Sequence, residues 1–272
     1  VTALDLIADW PVDHVAAAVV TGSGGMEVAG EAERVFPLAS LTKLLTAYAA
    51  LLAVQEGVVD LEDPAGPPGS TIRHLLAHAS GLPFDGDTPQ ASPGTRRIYS
   101  RNAGFALVTA AVEGVSGFVF ADYLAEAVAK PLGMAATVLT GPPGHGARST
   151  VSDLTSFAAE LLRPRLLASE IHAAATTVQF PGLAGVLPGY GRQQPNDWGL
   201  GFEIRNGKHP HWTGSNNSAR TFGHFGMSGT MLWIDPVADV ALIALADRDF
   251  GDWCKPLWPA IADAVLAQPA AH

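Results

Sequence analysis

Apolar and polar positions change their rhythm several times along the chain. Residues 15–20 form a short apolar run. Gly22-Ser23-Gly24-Gly25 follows, then a second run over 26–30, and two such runs about a glycine-rich connection predict a β-hairpin. After Pro37-Leu38-Ala39-Ser40 come Leu41, Leu44, Leu45, Tyr48, Leu51 and Leu52, with Gly57 as a stop. The pattern predicts a helix of about 17 residues that is apolar on nearly every side, which places it inside a domain. Between 58 and 175, predicted helices at 71–77, 103–115, 118–130 and 152–162 alternate with long Gly/Pro loops. From Trp198 onward the pattern is β-rich, with strands at 200–205, 230–234 and 240–246 and a closing helix at 253–268. The stretch 206–223, with His209, His211, Asn216 and Asn217, reads as a long exposed loop.

This order predicts an α/β (α+β) fold in which an antiparallel sheet from both chain ends is flanked by helices. The expected division is a sheet domain of 1–57 and 176–272 with a helical domain of 58–175. Composition narrows the function. The 272 residues are 48% hydrophobic and 15% charged, so the chain carries enough apolar surface for a core and is not a disordered segment. A net charge of −10 argues against a nucleic-acid partner, which needs clustered Lys and Arg. A disulfide framework is excluded, because Cys254 is the single cysteine. No apolar run reaches the roughly 18 residues that cross a bilayer, and residues 1–10 carry Asp5 and Asp9 where a secretory signal would be basic. A chain starting here is expected in the cytoplasm with no membrane partner, although a Val1 start leaves room for a removed leader.

Several motifs fail. Gly226-Met227-Ser228-Gly229-Thr230 misses G-x-S-x-G at its fifth place, and neither a P-loop nor G-x-G-x-x-G occurs. His209 with His211 and His74 with His78 are the close histidine pairs. Neither comes with a Cys cluster or an H-E-x-x-H helix, so no metal and no cofactor is expected. What survives is Ser40-Leu41-Thr42-Lys43 at the head of the buried helix. The i, i+3 spacing puts both side chains on one face, and burial lowers a lysine pKa toward the free amine that can act as a base. With four Lys and 14 Ser in the chain, chance alone gives about 0.2 such pairs. An N-cap serine followed by a snorkelling lysine is the plainer alternative.

The surroundings decide between them. The Ser40–Lys43 segment with Glu56-Gly57-Val58-Val59-Asp60-Leu61-Glu62-Asp63-Pro64, then His74-Leu75-Leu76-Ala77-His78-Ala79-Ser80-Gly81-Leu82-Pro83, resembles the β-lactamase/transpeptidase-like serine hydrolases: class C β-lactamases, penicillin-binding proteins and SxxK esterases. Tyr99-Ser100-Arg101-Asn102, Pro131-Leu132-Gly133-Met134, Ser149-Thr150-Val151-Ser152-Asp153 and Gly223-His224-Phe225-Gly226-Met227 follow in that family's order. The resemblance implies Ser40 as acyl-accepting nucleophile and Lys43 as its base or proton shuttle. It implies Tyr99 as the tyrosine of a Tyr-x-Asn motif and Asn102 as the asparagine that holds the lysine and the substrate's carbonyl side. Two residues separate Tyr99 from Asn102 instead of one. Either Arg101 is an insertion, or Ser100-Arg101-Asn102 stands in a Ser-x-Asn register with Ser100 facing Lys43; the interval from Pro93-Gly94-Thr95 favours Tyr99.

The third motif is His224-Phe225-Gly226. The resemblance implies that this strand lines the site, with the N–H groups of Ser40 and Met227 as oxyanion hole and His224 as an electrostatic partner whose charge depends on pH. Phe225 stands where β-lactam-recognising members place a hydroxyl for the substrate carboxylate. The expectation is therefore a carboxylesterase acting on small apolar acyl esters, with Phe225, Met227 and Trp212 as an apolar wall. The alternatives are a D-alanyl-D-alanine peptidase, a D-aminopeptidase or a weak β-lactamase acting on a small ester or amide, and a catalytically impaired binding or regulatory member. Oligomeric state leaves no readable trace.

Overall fold

A computed structural model describes residues 2–268. Its strands are β1 (Val15–Thr21), β2 (Met26–Gly30), β3 (Phe36–Pro37), β4 (Val138–Leu139), β5 (Ala147–Ser149), β6 (Gly185–Leu187), β7 (Gly191–Gln193), β8 (Glu203–Ile204), β9 (Phe222–Gly226), β10 (Thr230–Asp235) and β11 (Val240–Ala246). The α-helices are α1 (Thr42–Gln55), α2 (Ile72–Leu76), α3 (Ala103–Ser116), α4 (Phe120–Leu124), α5 (Val151–Leu162), α6 (Ser169–Ala175) and α7 (Cys254–Ala267). Both chain ends build the main antiparallel sheet, in the order β2-β1-β11-β10-β9-β8. Val15 lies opposite Ala246 and Thr21 opposite Val240, so the N-terminal hairpin docks on the last strand.

Each face of this sheet carries a core. Ala16, Ala18, Val20, Ile243 and Leu245 point into one with α1 and α5, and Ala17, Val19, Leu242 and Ala244 into the other with α7 and the 3-10 helix Ala3–Asp9. Burial on both faces explains why β1 and β11 read as continuous apolar runs rather than alternating ones. Every residue of α1 from Thr42 to Ala53 is buried, as its lack of a polar face predicts. Gly201 (φ +86°) lies so close to α1 that a Cβ there would collide with the Ala47 methyl.

Three expectations need correction. The helix expected over 118–130 divides into α4 and a π-helical turn, Ala125–Ala129, where Lys130 N–H bonds the Ala125 carbonyl at 2.9 Å. The strand expected at 200–205 shrinks to β8, because Gly199 N–H closes a turn on the Phe202 carbonyl at 2.8 Å. The 206–223 stretch is not an exposed loop: Lys208, His211, Trp212, Thr213 and Asn217 are all buried. α5, inside the 58–175 region, lies against β1 and β11. Among the described residues no single helix is long and apolar enough to cross a membrane.

Candidate active site

Ser40 sits on a 3-10 turn, Ala39–Leu41, that leads directly into α1. The residue before it, Ala39, has φ +45°, a strained backbone for a residue with a Cβ. Strand β9 ends against this turn, and a Cβ on Gly226 would strike the Leu38 carbonyl and the Thr230 hydroxyl. A glycine is what lets the third motif approach the Ser40 turn. Ser40 is not an N-cap: its hydroxyl accepts the Tyr99 O–H at 2.8 Å, with Lys43 Nζ 3.4 Å away.

Lys43 is fully buried and does not snorkel. Nζ donates to the carbonyls of Arg101 (2.8 Å) and Gly144 (2.7 Å), and the rings of Tyr99 and Phe105 lie 4.9 and 5.5 Å from it. Burial, reinforced by the Arg101 charge, holds its pKa well below the usual lysine value. A neutral amine has two N–H bonds and one lone pair. The two carbonyls take the N–H bonds, which leaves the lone pair for the Ser40 proton. Burial pushes the Tyr99 phenol up, so that group stays protonated and acts as a donor to Ser40.

The structure places Tyr99, and not Ser100, against Ser40. Ser100 turns away, its Oγ accepting Gly104 N–H at 3.1 Å at the start of α3. Asn102 makes no hydrogen bond with Lys43, whose partners are Ser40 and the Arg101 and Gly144 carbonyls. Its Oδ1 accepts Gly144 N–H at 3.0 Å, so it braces the loop whose carbonyl grips the lysine. The extra residue Arg101 explains the change: its backbone carbonyl takes the lysine where the Tyr-x-Asn pattern implies an asparagine side chain.

His78 has no catalytic part in the sequence reading, yet it brackets Tyr99 on three sides. Its carbonyl accepts Ile98 N–H at 3.0 Å, its Nδ1 accepts Ser100 N–H at 3.1 Å, and its ring stacks on Tyr99 at 4.7 Å. Its φ of +53° makes this bracket possible. No spacing in the sequence signals it, because the contact depends on a strained backbone.

His224 is buried on β9, and its Nδ1–H donates to the Phe225 carbonyl at 2.6 Å, since a carbonyl can only accept. Nε2 is then an acceptor, and it has no protein partner. Burial brings the imidazole down to about 3, so it is neutral at physiological pH rather than a charge that titrates there. Trp212 does not line the site. It packs behind Phe225 at 5.8 Å, and its indole N–H donates to Glu203 Oε2 at 2.8 Å. Glu203 Oε1 accepts Lys208 Nζ at 2.8 Å and His211 Nε2 at 2.9 Å, all groups buried. The Lys208 and His211 partners outweigh the burial cost and keep Glu203 ionised, its pKa lowered. Residues read as a solvated loop thus form an internal polar network beneath the Phe225 wall. Among the described residues no group of three or more His, Cys, Asp or Glu is placed to hold a metal ion.

Above Ser40 lies a cavity of about 470 Å³. Leu187, Pro188, Trp198, Phe225, Met227 and Phe250 line it with apolar surface, together with Phe84, Tyr99, Arg101 and His145. Residues 14–266 match the family model described as Beta-lactamase. The chain belongs to the Beta-lactamase family. Members of this family are serine hydrolases, and the mixed fold of helices and antiparallel sheets agrees with it. A crystal structure described as a β-lactamase (Mb2281c) from Mycobacterium bovis is 60% identical, covers 98% of both chains and superposes with a TM-score of 0.96. Simvastatin synthase (LovD) of Aspergillus terreus, as its LovD9 mutant, shares the fold at 16% identity with a TM-score of 0.80, covering 97% of this chain and 96% of its own. Among curated relatives, D-alanyl-D-alanine-carboxypeptidase/endopeptidase AmpH of Escherichia coli K12 is 28% identical over 166 residues, 47% of this chain and 43% of that protein. Penicillin-binding protein 4* of Bacillus subtilis is 31% identical over 132 residues, 36% of this chain and 29% of that protein. The chain thus spans less than half the length of these two curated relatives.

Proposed function

We propose that this family member is a carboxylesterase that cleaves small esters with an apolar acyl group through an acyl-enzyme on Ser40. One observation carries the reading: Ser40 Oγ lies between a depressed-pKa amine and a phenol donor, at the floor of a cavity with an apolar wall. Lys43 takes the Ser40 proton on its lone pair as Oγ attacks the acyl carbon. The carbonyl electrons move onto oxygen, beside the N–H groups of Ser40 and Met227. As the tetrahedral species collapses, the C–O bond to the alcohol breaks and the departing oxygen receives a proton relayed from Lys43 through Tyr99. Water then repeats the sequence, which releases the acid and restores Ser40. Phe225 supports an uncharged acyl group, since a phenyl ring offers no hydrogen bond to a carboxylate.

The test is p-nitrophenyl butyrate turnover in the wild type and in Ser40→Ala. The expected result is measurable turnover that falls by at least about 10³-fold in the variant. Undiminished turnover in Ser40→Ala sinks the reading. The name of the Escherichia coli relative favours a second reading, a D-alanyl-D-alanine peptidase. Release of D-alanine from a D-alanyl-D-alanine peptide faster than butyrate turnover would establish it. Fast nitrocefin hydrolysis would show that Phe225 does not exclude a carboxylate-bearing substrate.

A further inference from the structure

The cavity lining holds one residue with a full charge at neutral pH. Burial holds His224 neutral, and His145 is lowered by burial and by the Arg101 charge. The charge is Arg101, the residue that lengthens the Tyr-x-Asn spacing. Its backbone is fixed at the proton-carrying end of the site, with its N–H on the Phe84 carbonyl at 2.9 Å and its carbonyl on Lys43 Nζ at 2.8 Å. Its guanidinium is barely committed. The ion-pair partner is Asp85, with Nη1 to Oδ1 at 3.6 Å and both side chains more than half exposed, so the contact is loose and screened.

Orientation within the cavity follows from the proposed hydrolase reading, on which this inference rests. The departing oxygen must reach the Tyr99 and Lys43 proton, so the leaving group lies on the side of Tyr99, Arg101 and Phe84. The acyl group then faces the wall of Leu187, Phe225 and Phe250. We propose that Arg101 is an anion subsite for the leaving group, and that preferred substrates join an apolar acyl group to an alcohol bearing a carboxylate. A guanidinium presents paired N–H donors that match a carboxylate, and a substrate can displace the weakly held Asp85. The anion site that Phe225 denies to the third motif is thereby supplied from the Tyr99 end of the cavity.

Two esters differing only in charge test this: 3-(butyryloxy)benzoate and 3-(butyryloxy)benzamide. The quantity read is the ratio of their kcat/KM values within each protein, in which general damage to a variant cancels. The ratio is expected to fall by about three- to tenfold in Arg101→Gln and to rise in Asp85→Asn, where the competing carboxylate is gone. An equal ratio in wild type and Arg101→Gln overturns the subsite. Should Arg101→Gln not fold, a ratio in Asp85→Asn that does not rise overturns it equally. Binding of the products, 3-hydroxybenzoate against 3-hydroxybenzamide, followed by Trp fluorescence, separates the two readings. No ester turnover with Arg101-dependent preference for the benzoate sinks the hydrolase reading and leaves the subsite standing; turnover or binding without that preference does the reverse.

Discussion

At the level of single residues, the site depends as much on backbone strain as on side-chain chemistry. Ala39 and His78 both occupy positive φ, one immediately before Ser40 and the other beneath Tyr99. Such conformations persist only where surrounding contacts determine them. For His78 the contacts are those to Ile98, Ser100 and the Tyr99 ring, which makes it a positioning residue for the phenol. An asparagine can supply an acceptor near the place of Nδ1 and tolerates positive φ, whereas phenylalanine keeps the ring and loses the acceptor. His78→Phe is therefore expected to lower kcat for p-nitrophenyl butyrate by roughly 10- to 100-fold with little change in KM, and His78→Asn to recover most of it. Equal loss in both variants, or a loss confined to KM, would refute the positioning role. Arg97 supports the same segment: it is 1% exposed and gives its N–H groups to the carbonyls of Ala77, Gln179, Phe180 and Asn196.

Among the elements, those with strong periodicity were the legible ones. The hairpin, α1, β10, β11 and α7 lie within a residue or two of their expected bounds: β1, α1, β10 and β11 bury nearly continuous apolar sets, α7 buries one apolar face, and the more exposed β2 is set by its glycine-rich turn. Ser40 and Lys43 are readable for the same reason, since Lys43 rides on α1 and Ser40 on the 3-10 turn that leads directly into it. Tyr99 was ambiguous because one extra residue shifts the Tyr-x-Asn spacing, and a spacing rule cannot tell a side chain from the peptide carbonyl that replaces it. The 206–223 stretch misled because its polar residues satisfy one another. Lys208, His211 and Trp212 all converge on Glu203 from the next loop, and composition alone cannot distinguish a paired polar group from a solvated one. Removing the anion from this cluster strands a buried ammonium. Glu203→Gln is expected to cost about 3–5 kcal/mol and to lower Tm by on the order of 10 °C. A Tm within about 2 °C of wild type would show that the network contributes little.

For the molecule as a whole, burial of histidines sets the acid limit of stability. His78, His172, His211 and His224 all have pKa values lowered chiefly by burial. Unfolded, each titrates near 6.5. Below that pH the unfolded chain takes up protons that the folded protein refuses, so stability is lost as pH falls toward the folded values, about 3 for His224. Above that pH these groups contribute no slope. Each histidine adds up to about 1.4 kcal/mol per pH unit in this window. Tm is expected to be level from about pH 8 to 7 and to drop between pH 6.5 and 5, before most carboxylates protonate, with a smaller drop in His224→Gln. A Tm that stays level down to pH 5 would contradict this account.

The hold on Lys43 has a consequence for how this site tolerates change. Both acceptors of its amine are peptide carbonyls, at Arg101 and Gly144, and no side-chain replacement can delete a carbonyl. The lysine's anchorage is therefore written into loop length and path rather than into residue identity. Point substitutions at 101 leave that anchorage in place, whereas deletion of one residue between Tyr99 and Asn102 would release it. One residue thus acts on the amine in two ways: its carbonyl fixes where the amine sits, and its guanidinium adds to the depression of the amine's pKa, so that a substitution at 101 changes the second and spares the first.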